Sequence, residues 1–265
     1  MGYGDEIIAL GQAQELVRLS NIQKIEIVGS NGERRWSDLW QEHPEIAKRN
    51  ERGDFQLKNG PNARPYIKCW DTWGGKARSI FSGWRVQDFR AKLKLSAEVL
   101  AIGSEFKAAT GSYVLVEPNI KGPGSPNKLW GFDRFQKVVD SVRWAKPEIP
   151  FAQFDNGGPM LDGVLRISAD SFASALGFMS SASAYLGIEG GLHHGAGALG
   201  IPAVVVFGGF TSPEFVGYPE HRNFFIEGPE SPCGRWAPCP HCEIAMSKIK
   251  PAYVAAALVD LLEEV

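Results

Sequence analysis

The fold is decided by residues 185–209, which are Tyr-Leu-Gly-Ile-Glu-Gly-Gly-Leu-His-His-Gly-Ala-Gly-Ala-Leu-Gly-Ile-Pro-Ala-Val-Val-Val-Phe-Gly-Gly. The pattern predicts a strand over 184–188 that ends at Glu189, a glycine turn, a short helix over 192–199 and a strand over 203–207. The free N–H groups and partial positive charge of a helix N-terminus suit a phosphate group. We therefore expect a diphosphate site here, with His193 and His194 as candidate hydrogen-bond donors in the first turn of the helix.

Strands and helices alternate around this stretch. Further strands are predicted over 113–116, 151–154 and 164–167, and helices over 132–144, 171–180 and 254–264. The first half predicts only a helix over 6–19, a strand over 24–28 and a helix over 97–109, and residues 50–95 carry no pattern that predicts a structure. Such alternation is typical of a parallel, Rossmann-like α/β sheet.

The composition excludes several classes of protein. The chain has 265 residues, 44% of them hydrophobic, and a net charge of −2, which excludes a disordered chain. Its apolar runs are too short to cross a bilayer, and its N-terminus does not resemble a signal peptide. Four Cys do not make a secreted disulfide framework. We expect a soluble, cytoplasmic protein.

Basic and aromatic side chains are concentrated in residues 64–94. They are Arg64, Lys68, Lys76, Arg78, Arg85, Arg90, Lys92 and Lys94, with Tyr66, Trp70, Trp73, Phe81, Trp84 and Phe89 between them. Cations mixed with flat rings suit an anionic, ring-bearing partner, such as a phosphorylated glycan or a nucleic acid. The alternative is a solvated face whose aromatic residues belong to the core.

Residues 189–200, followed by the strand that ends at Phe207-Gly-Gly, resemble the donor-site signature of glycosyltransferase family 9, the ADP-heptose-dependent heptosyltransferases and their relatives. Lys128-Leu-Trp130 is similar to the family's Lys-x-Trp, and Gly2-Tyr-Gly-Asp5 to its N-terminal Gly-Asp turn. The resemblance implies a GT-B-like α/β fold, in which two Rossmann-like lobes with parallel sheets face a cleft.

The resemblance also implies roles for individual residues. Asp5 is the implied general base, and Lys128 is implied to contact the phosphate or sugar of the donor. The other implied donor-binding residues are Asn119, Trp130, Glu189, Gly190, Gly191, Leu192 and His194. Further candidate contacts are Gly4, His193 and Tyr218, the last in the loop 213–221 that also contains His221. Gln153, which ends a strand with Asp155 and Asn156, is a candidate contact of the nucleoside, with a plain turn as the favoured alternative.

The chain also departs from the family pattern. Glu189 stands where the family has Asp, Gly190 where it has Thr, and no strand precedes the Gly-Asp turn. We therefore expect a reduced acceptor-side lobe over 1–107 and a nucleotide-sugar-binding lobe over 108–248. A C-terminal helix within 249–265 is expected to cross back to the first lobe.

Asp5 has two interpretations. An Asp that precedes an amphipathic helix is first a candidate N-cap, because its carboxylate accepts hydrogen bonds from unpaired N–H groups. A carboxylate at a cleft can instead take the proton of an acceptor hydroxyl as that hydroxyl attacks. The neighbouring Glu6 is the alternative base.

Three thiols and an imidazole lie within ten residues, at Cys233, Cys239, His241 and Cys242. Thiolates and imidazole are zinc ligands, so the cluster is a candidate structural site for zinc or iron. A stiff loop of free thiols and a disulfide remain alternatives, and the distant Cys69 fits a buried apolar position.

The leading hypothesis is an inverting glycosyltransferase that moves a heptose or another hexose-like sugar to a hydroxyl of a glycan or other anionic acceptor. Its donor is a nucleotide-diphosphate sugar, with ADP favoured and UDP as the alternative. Because the sequence contains no Asp-x-Asp motif, we expect catalysis without a cofactor or catalytic metal. The alternatives are transfer to a modified nucleic-acid base, motivated by residues 64–94, and a catalytically silent nucleotide-sugar-binding module, motivated by the short first half.

Overall fold

The computed structural model describes residues 2–29, 31–58, 85–120, 124–228 and 230–264, and the backbone alone of 68–70 and 77–79. The elements of the first half are α1 (Tyr3–Leu19), β1 (Ile25–Val28), β2 (Phe55–Lys58), β3 (Lys68–Trp70), β4 (Ala77–Ser79) and α2 (Ala97–Thr110). β1 and β2 pair in parallel, and β3 and β4 pair in the antiparallel sense. The helices and the strand predicted for this half are present, each within a few residues of its predicted bounds.

The second half contains one parallel sheet of six strands. Its elements are β5 (Val114–Glu117), α3 (Phe132–Ala145), β6 (Phe151–Phe154), β7 (Leu165–Ile167), α4 (Phe172–Ser180), β8 (Ala184–Ile188), α5 (Gly191–Leu199), β9 (Ala203–Val206), α6 (Pro213–Val216), β10 (Arg222–Phe224), α7 (Pro240–Lys248) and α8 (Pro251–Glu264). The strands lie in the order β10–β9–β8–β5–β6–β7, and every neighbouring pair is parallel. The parallel α/β sheet predicted from the alternation is confirmed.

Successive residues of the central strands point to opposite faces of the sheet, and each face has its own core. Val114 and Val116 of β5 belong to the core beneath α3 and α8. Leu115, between them, belongs to the opposite core, which also contains residues of α1, α4 and α5. Because both faces are covered, the strands are uniformly apolar rather than alternating.

α2 packs against α4 at a point where two glycines meet. A Cβ on Gly103 would overlap the carbonyl oxygen of Gly177, and a Cβ on Gly177 would overlap that of Val99. The two helices can therefore approach with backbone in contact. The predicted lobe boundary at residue 107 falls inside α2, and the division into two lobes that face a cleft stays a prediction.

The C-terminal helix packs on the second half of the chain. α8 lies along α3 and over β8 and β9, and its predicted return to the first lobe stays a prediction. Its apolar stripe, Val254, Ala255, Leu258 and Leu261, is buried in the same core as Val138 and Val142 of α3. Burial of that stripe holds α8 against α3 and the six-stranded sheet.

Residues 64–94 lie mostly outside the described residues, so the hypothesis of a basic–aromatic surface is not examined by this structure. Within the part that is described, Arg85 forms an ion pair with Glu214, and Arg90 with Glu220. These two cations therefore contact the loop that contains α6. Among the described helices, none combines the length and the apolar composition that crossing a bilayer requires.

Candidate active site

The candidate site lies where the order of the strands reverses. The chain passes from β5 outward to β6 and β7, and then returns to place β8 on the other side of β5. In open α/β sheets, ligands bind outside the carboxyl ends of the strands at such a switch point. β5 ends at Glu117, and β8 is followed directly by Glu189. Two carboxylates therefore lie at the sheet edge where a ligand is expected.

Lys128 is held against Glu189 by the turn that follows β5. This turn is a 3-10 helix over Pro126–Lys128, and the Ser125 hydroxyl caps it by accepting from the Asn127 N–H at 3.3 Å. The Lys128 Nζ lies 2.6 Å from Glu189 Oε2, and the side chains are only 18% and 7% exposed. The same ammonium lies 4.6 Å from the centroid of the Phe210 ring. A desolvated cation at the switch point is thus available to a phosphate group.

The N-terminus of α5 adds unpaired N–H groups beside this ion pair. α5 begins at Gly191 directly after Glu189 and Gly190, as the sequence predicted. A Cβ on Gly190 would meet no atom within 4 Å, so this backbone is open to an approaching group. The positive end of the helix dipole lies at the same point. Leu192, also in this turn, is partly exposed.

His194 lies between Glu189 and Tyr218. Its Nδ1 is 3.0 Å from the Tyr218 hydroxyl, and its Nε2 is 3.8 Å from Glu189 Oε1. Burial lowers the pKa of His194 to about 4, although Glu189 acts in the opposite direction, so the ring is neutral at pH 7. With the hydroxyl donating to Nδ1, the Nε2–H points toward Glu189. His194 therefore lies beside Glu189, and its predicted contact with the donor stays a prediction.

The first turn of α1 packs against α5, which brings Asp5 near the same end of the sheet. Gly4 faces His194: a Cβ on Gly4 would lie 2.7 Å from His194 Cδ2 and 3.6 Å from the Gly191 Cα. The neighbouring Tyr3 ring stacks on Phe172 of α4 at 4.2 Å between centroids. The structure therefore joins the two short sequence signals, residues 2–5 and 189–194, that lie far apart in the chain.

Asp5 caps its own helix. It is 9% exposed, and its Oδ2 accepts a hydrogen bond of 2.9 Å from the Gly2 N–H. Glu6, the alternative base, lies inside the first half, where it accepts from the Ser37 hydroxyl and lies 3.8 Å from Arg35. Burial raises the pKa of Glu6, partly offset by Ser37 and Arg35. Asp5 therefore lies at the third position of α1 and bonds back to its N-cap, Gly2, rather than being the N-cap that the sequence predicted, and its role as a base stays a proposal.

Glu117 is a site residue that the sequence analysis did not select. It is 6% exposed, and its carboxylate accepts from the Asn119 N–H at 2.9 Å and from Asn156 Nδ2 at 3.4 Å. Burial raises the pKa of Glu117 to about 7, although the hydrogen bonds from Asn119 lower it. The sequence feature that could have identified Glu117 is its place as an acidic residue at the end of an otherwise apolar strand. Asn119, a predicted donor contact, lies at this edge and donates to the Pro159 carbonyl at 3.3 Å.

Three of the residues predicted as donor contacts are buried, and their contact with a donor stays a prediction. Trp130 is fully buried, with its Nε1 donating to the Ile249 carbonyl at 3.3 Å. Gln153 is fully buried and closes a turn by bonding the Pro159 carbonyl and the Leu161 N–H. His193 is fully buried among four rings, those of His194, Phe207, Tyr218 and His221. These side chains pack beneath the site. Burial lowers the pKa of His193 far enough to keep its ring neutral at pH 7.

The three thiols converge behind the Lys128 turn. Cys233, Cys239 and Cys242 are buried free cysteines whose Sγ atoms all lie within 4.8 Å of one another. The Cys242 thiol donates to Cys233 Sγ at 3.4 Å, and this hydrogen bond lowers the pKa of Cys233 to about 6. His241 is half exposed and pairs with Glu230 at 3.2 Å. Among the described residues, the cluster therefore consists of three thiols, without the imidazole that the sequence offered as a fourth ligand.

Comparison with known proteins identifies the fold. No family model and no curated protein matches the sequence. The chain is similar to the glycosyl transferase family 9 structure from Veillonella parvula, with a TM-score of 0.65 and 14% identity, covering 100% of this chain and 96% of that one. It is similar to the iron-containing dodecameric glycosyltransferase TibC from enterotoxigenic E. coli, with a TM-score of 0.64 and 12% identity, covering 100% and 74%.

A third match is partial. The E. coli ADP-heptose LPS heptosyltransferase II has a TM-score of 0.48 and 16% identity, covering 65% of this chain and 54% of that one, so the chain spans about half its length. The two longer matches show the fold: the chain shares the α/β fold of a family 9 glycosyltransferase and of the glycosyltransferase TibC. The GT-B-like fold class that the sequence resemblance implied is confirmed.

Proposed function

We propose that the protein is an inverting glycosyltransferase that uses a nucleotide-diphosphate sugar, with an ADP-sugar favoured. The observation that carries the proposal is the Lys128–Glu189 pair at the switch point, 2.6 Å apart and beside the N-terminus of α5. A cation and free N–H groups suit a diphosphate, and a carboxylate beside them suits the hydroxyls of a sugar. The solved structures that share the fold along the whole chain are glycosyltransferases, which supports the class of reaction.

In this proposal, each residue has a distinct part in the transfer. Lys128 and the first N–H groups of α5 bind the diphosphate and stabilise its charge as it leaves the anomeric carbon. Glu189 accepts hydrogen bonds from the sugar, and His194 orients Glu189. Asp5 takes the proton of the acceptor hydroxyl, which attacks from the face opposite the diphosphate. The proton moves to Asp5, and the electron pair of the broken glycosidic bond leaves with the diphosphate.

The test is release of nucleoside diphosphate from ADP-heptose, ADP-glucose and UDP-glucose, with glycan and nucleic-acid acceptors. We expect ADP release that depends on a glycan acceptor in the parent and is abolished in Asp5→Asn, with ADP binding unchanged. The Oδ1 of an Asn at this position can still accept the hydrogen bond from the Gly2 N–H, so α1 is preserved in this variant. Asp88→Asn, which changes an exposed carboxyl of the first half, is the matched control.

Other outcomes of this experiment would favour the alternatives. A parent that binds ADP-sugars but transfers to no acceptor would indicate a silent binding module. Transfer to nucleic acid alone would support an acceptor base, with residues 64–94 as the surface that holds it. Full activity in Asp5→Asn would leave Asp5 as a helix cap and nothing more.

We further propose that Cys233, Cys239 and Cys242 hold one structural zinc or iron ion. Three buried sulfurs within 4.8 Å fit the thiolate ligands that both metals accept, and TibC, which shares the fold, is iron-containing. The ion would stabilise the loop that contains these cysteines and would take no part in the transfer reaction. Metal analysis of protein purified without a His-tag tests this, and a stoichiometry near zero with three titratable thiols would contradict it.

A further inference from the structure

The side chain of Asn127 joins the thiol cluster to the turn that holds Lys128. We call residues 233–242 the Cys loop. Asn127 is buried and directly precedes Lys128 in the 3-10 turn. Its Nδ2 donates to the carbonyls of Arg235 at 3.0 Å and Ala237 at 2.8 Å, and its Oδ1 accepts from the Cys239 N–H at 2.8 Å. One amide therefore pairs with three backbone groups of the Cys loop.

Backbone hydrogen bonds through Gly209 also connect the Lys128 turn to the Cys loop. The Asn127 carbonyl accepts from the Gly209 N–H at 2.6 Å, and the Gly209 carbonyl accepts from the Cys233 N–H at 2.6 Å. A Cβ on Gly208 would overlap the Asn127 carbonyl, and a Cβ on Gly209 would overlap Cys242 Sγ. Because there is no space for even a methyl group, the Lys128 turn, the glycine pair and the Cys loop are in direct contact.

Phe210 completes the contact on the side of the candidate site. Its ring lies 4.6 Å from Lys128 Nζ and makes an edge contact with Trp236 of the Cys loop, at 5.3 Å between centroids. The position of the Lys128 ammonium therefore depends on the Cys loop twice, through the Asn127 amide and through Phe210.

We infer that Asn127 is a positioning residue that couples the thiol cluster to the diphosphate site. A metal ion on the three thiols fixes the Cys loop, Asn127 holds the Lys128 turn to that loop, and nucleoside diphosphate then binds more tightly. The inference rests on the proposed nucleotide site. Since coupling between two binding sites is reciprocal, ADP also tightens the binding of metal.

Calorimetry measures ADP affinity for zinc-loaded and chelator-treated protein. We expect the zinc-loaded parent to bind ADP about 10-fold more tightly, within the usual range for coupled sites. In Asn127→Ala this ratio falls to about one, and it falls likewise in Asn127→Asp, which places a carboxylate oxygen against the carbonyls of Arg235 and Ala237. Asn50→Ala, on an exposed turn, is the matched control and keeps the parent ratio.

Binding of Co²⁺ provides a readout apart from the nucleotide, because thiolate coordination gives this ion a characteristic absorption. Asn127→Ala should keep the Co²⁺ absorption and melt cooperatively, which separates lost coupling from lost folding. Equal ADP affinity in the two preparations of the parent overturns the inference, as does an unchanged ratio in Asn127→Ala. If the parent binds no ADP in either preparation, the nucleotide site itself is wrong, whereas the Co²⁺ absorption still reports on the cluster.

Discussion

Lys128→Ala should weaken ADP binding by about 10- to 150-fold. This range corresponds to the loss of one hydrogen bond from a charged donor, about 1.5–3 kcal/mol. The structure adds a second effect, because Glu189 is 7% exposed and loses the cation that lies 2.6 Å away. Its uncompensated carboxylate then repels the diphosphate, so we expect the loss to lie toward the upper end. Lys137→Ala, which removes an exposed lysine from α3, is the control.

A second variant separates binding from stability. Lys128→Ala leaves a carboxylate buried without a partner and should lower the free energy of unfolding by about 2 kcal/mol. Adding Glu189→Gln restores most of that stability and removes the repulsion, yet ADP affinity stays below that of the parent because the cation is still missing. Glu189→Gln alone frees Lys128, so we expect it to bind bare ADP at least as tightly as the parent and ADP-sugar more weakly.

Calorimetry with ADP and ADP-glucose, together with urea unfolding of each variant, checks these expectations. Parent-like ADP affinity in Lys128→Ala would refute the reasoning, because it would place the nucleotide somewhere other than the switch point. A loss of ADP affinity in Glu189→Gln would instead show that the carboxylate supports the nucleotide rather than the sugar.

Two further predictions concern stability. The pKa of Glu117 is raised to about 7, so the folded state holds a proton that the unfolded state releases near 4.5, and stability falls as the pH rises between these values. Glu117→Gln removes this dependence. The free energy of unfolding of the variant, minus that of the parent, should therefore rise by about 3 kcal/mol from acid to mildly alkaline pH in urea unfolding. A difference that stays constant with pH would contradict the raised pKa. Gly4→Ala places a Cβ 2.7 Å from His194 and should cost about 1–3 kcal/mol in thermal unfolding. Gly2→Ala, whose Cβ meets only Asp5 Oδ2 at 3.8 Å, is its control, and equal melting of the two variants would contradict the packing of α1 on α5.

The elements of the second half and part of the candidate site follow from local sequence. Strands such as Val114–Glu117 are short, apolar and β-branched, the helices carry a periodic apolar stripe, and Gly190-Gly191 marks the turn between them. These signals act over a few residues, which is why Lys128, Glu189 and the start of α5 could be placed at the ends of strands. The missed elements, β2, β3, β4, α6, β10 and α7, are short or lie in segments rich in Pro and Gly, where periodicity cannot develop.

The tertiary structure alone decided which of the predicted residues meet. Trp130 and Lys128 are two residues apart, yet one is in the core and the other is paired with Glu189 at the sheet edge. Asn127 carries no motif, and its link to the Cys loop depends on chain segments more than 100 residues away. Likewise, the pKa of Glu117 is raised because the fold removes water from it, not because of its neighbours in sequence. Desolvation and long-range pairing are properties of the packed chain, and a local sequence pattern contains neither.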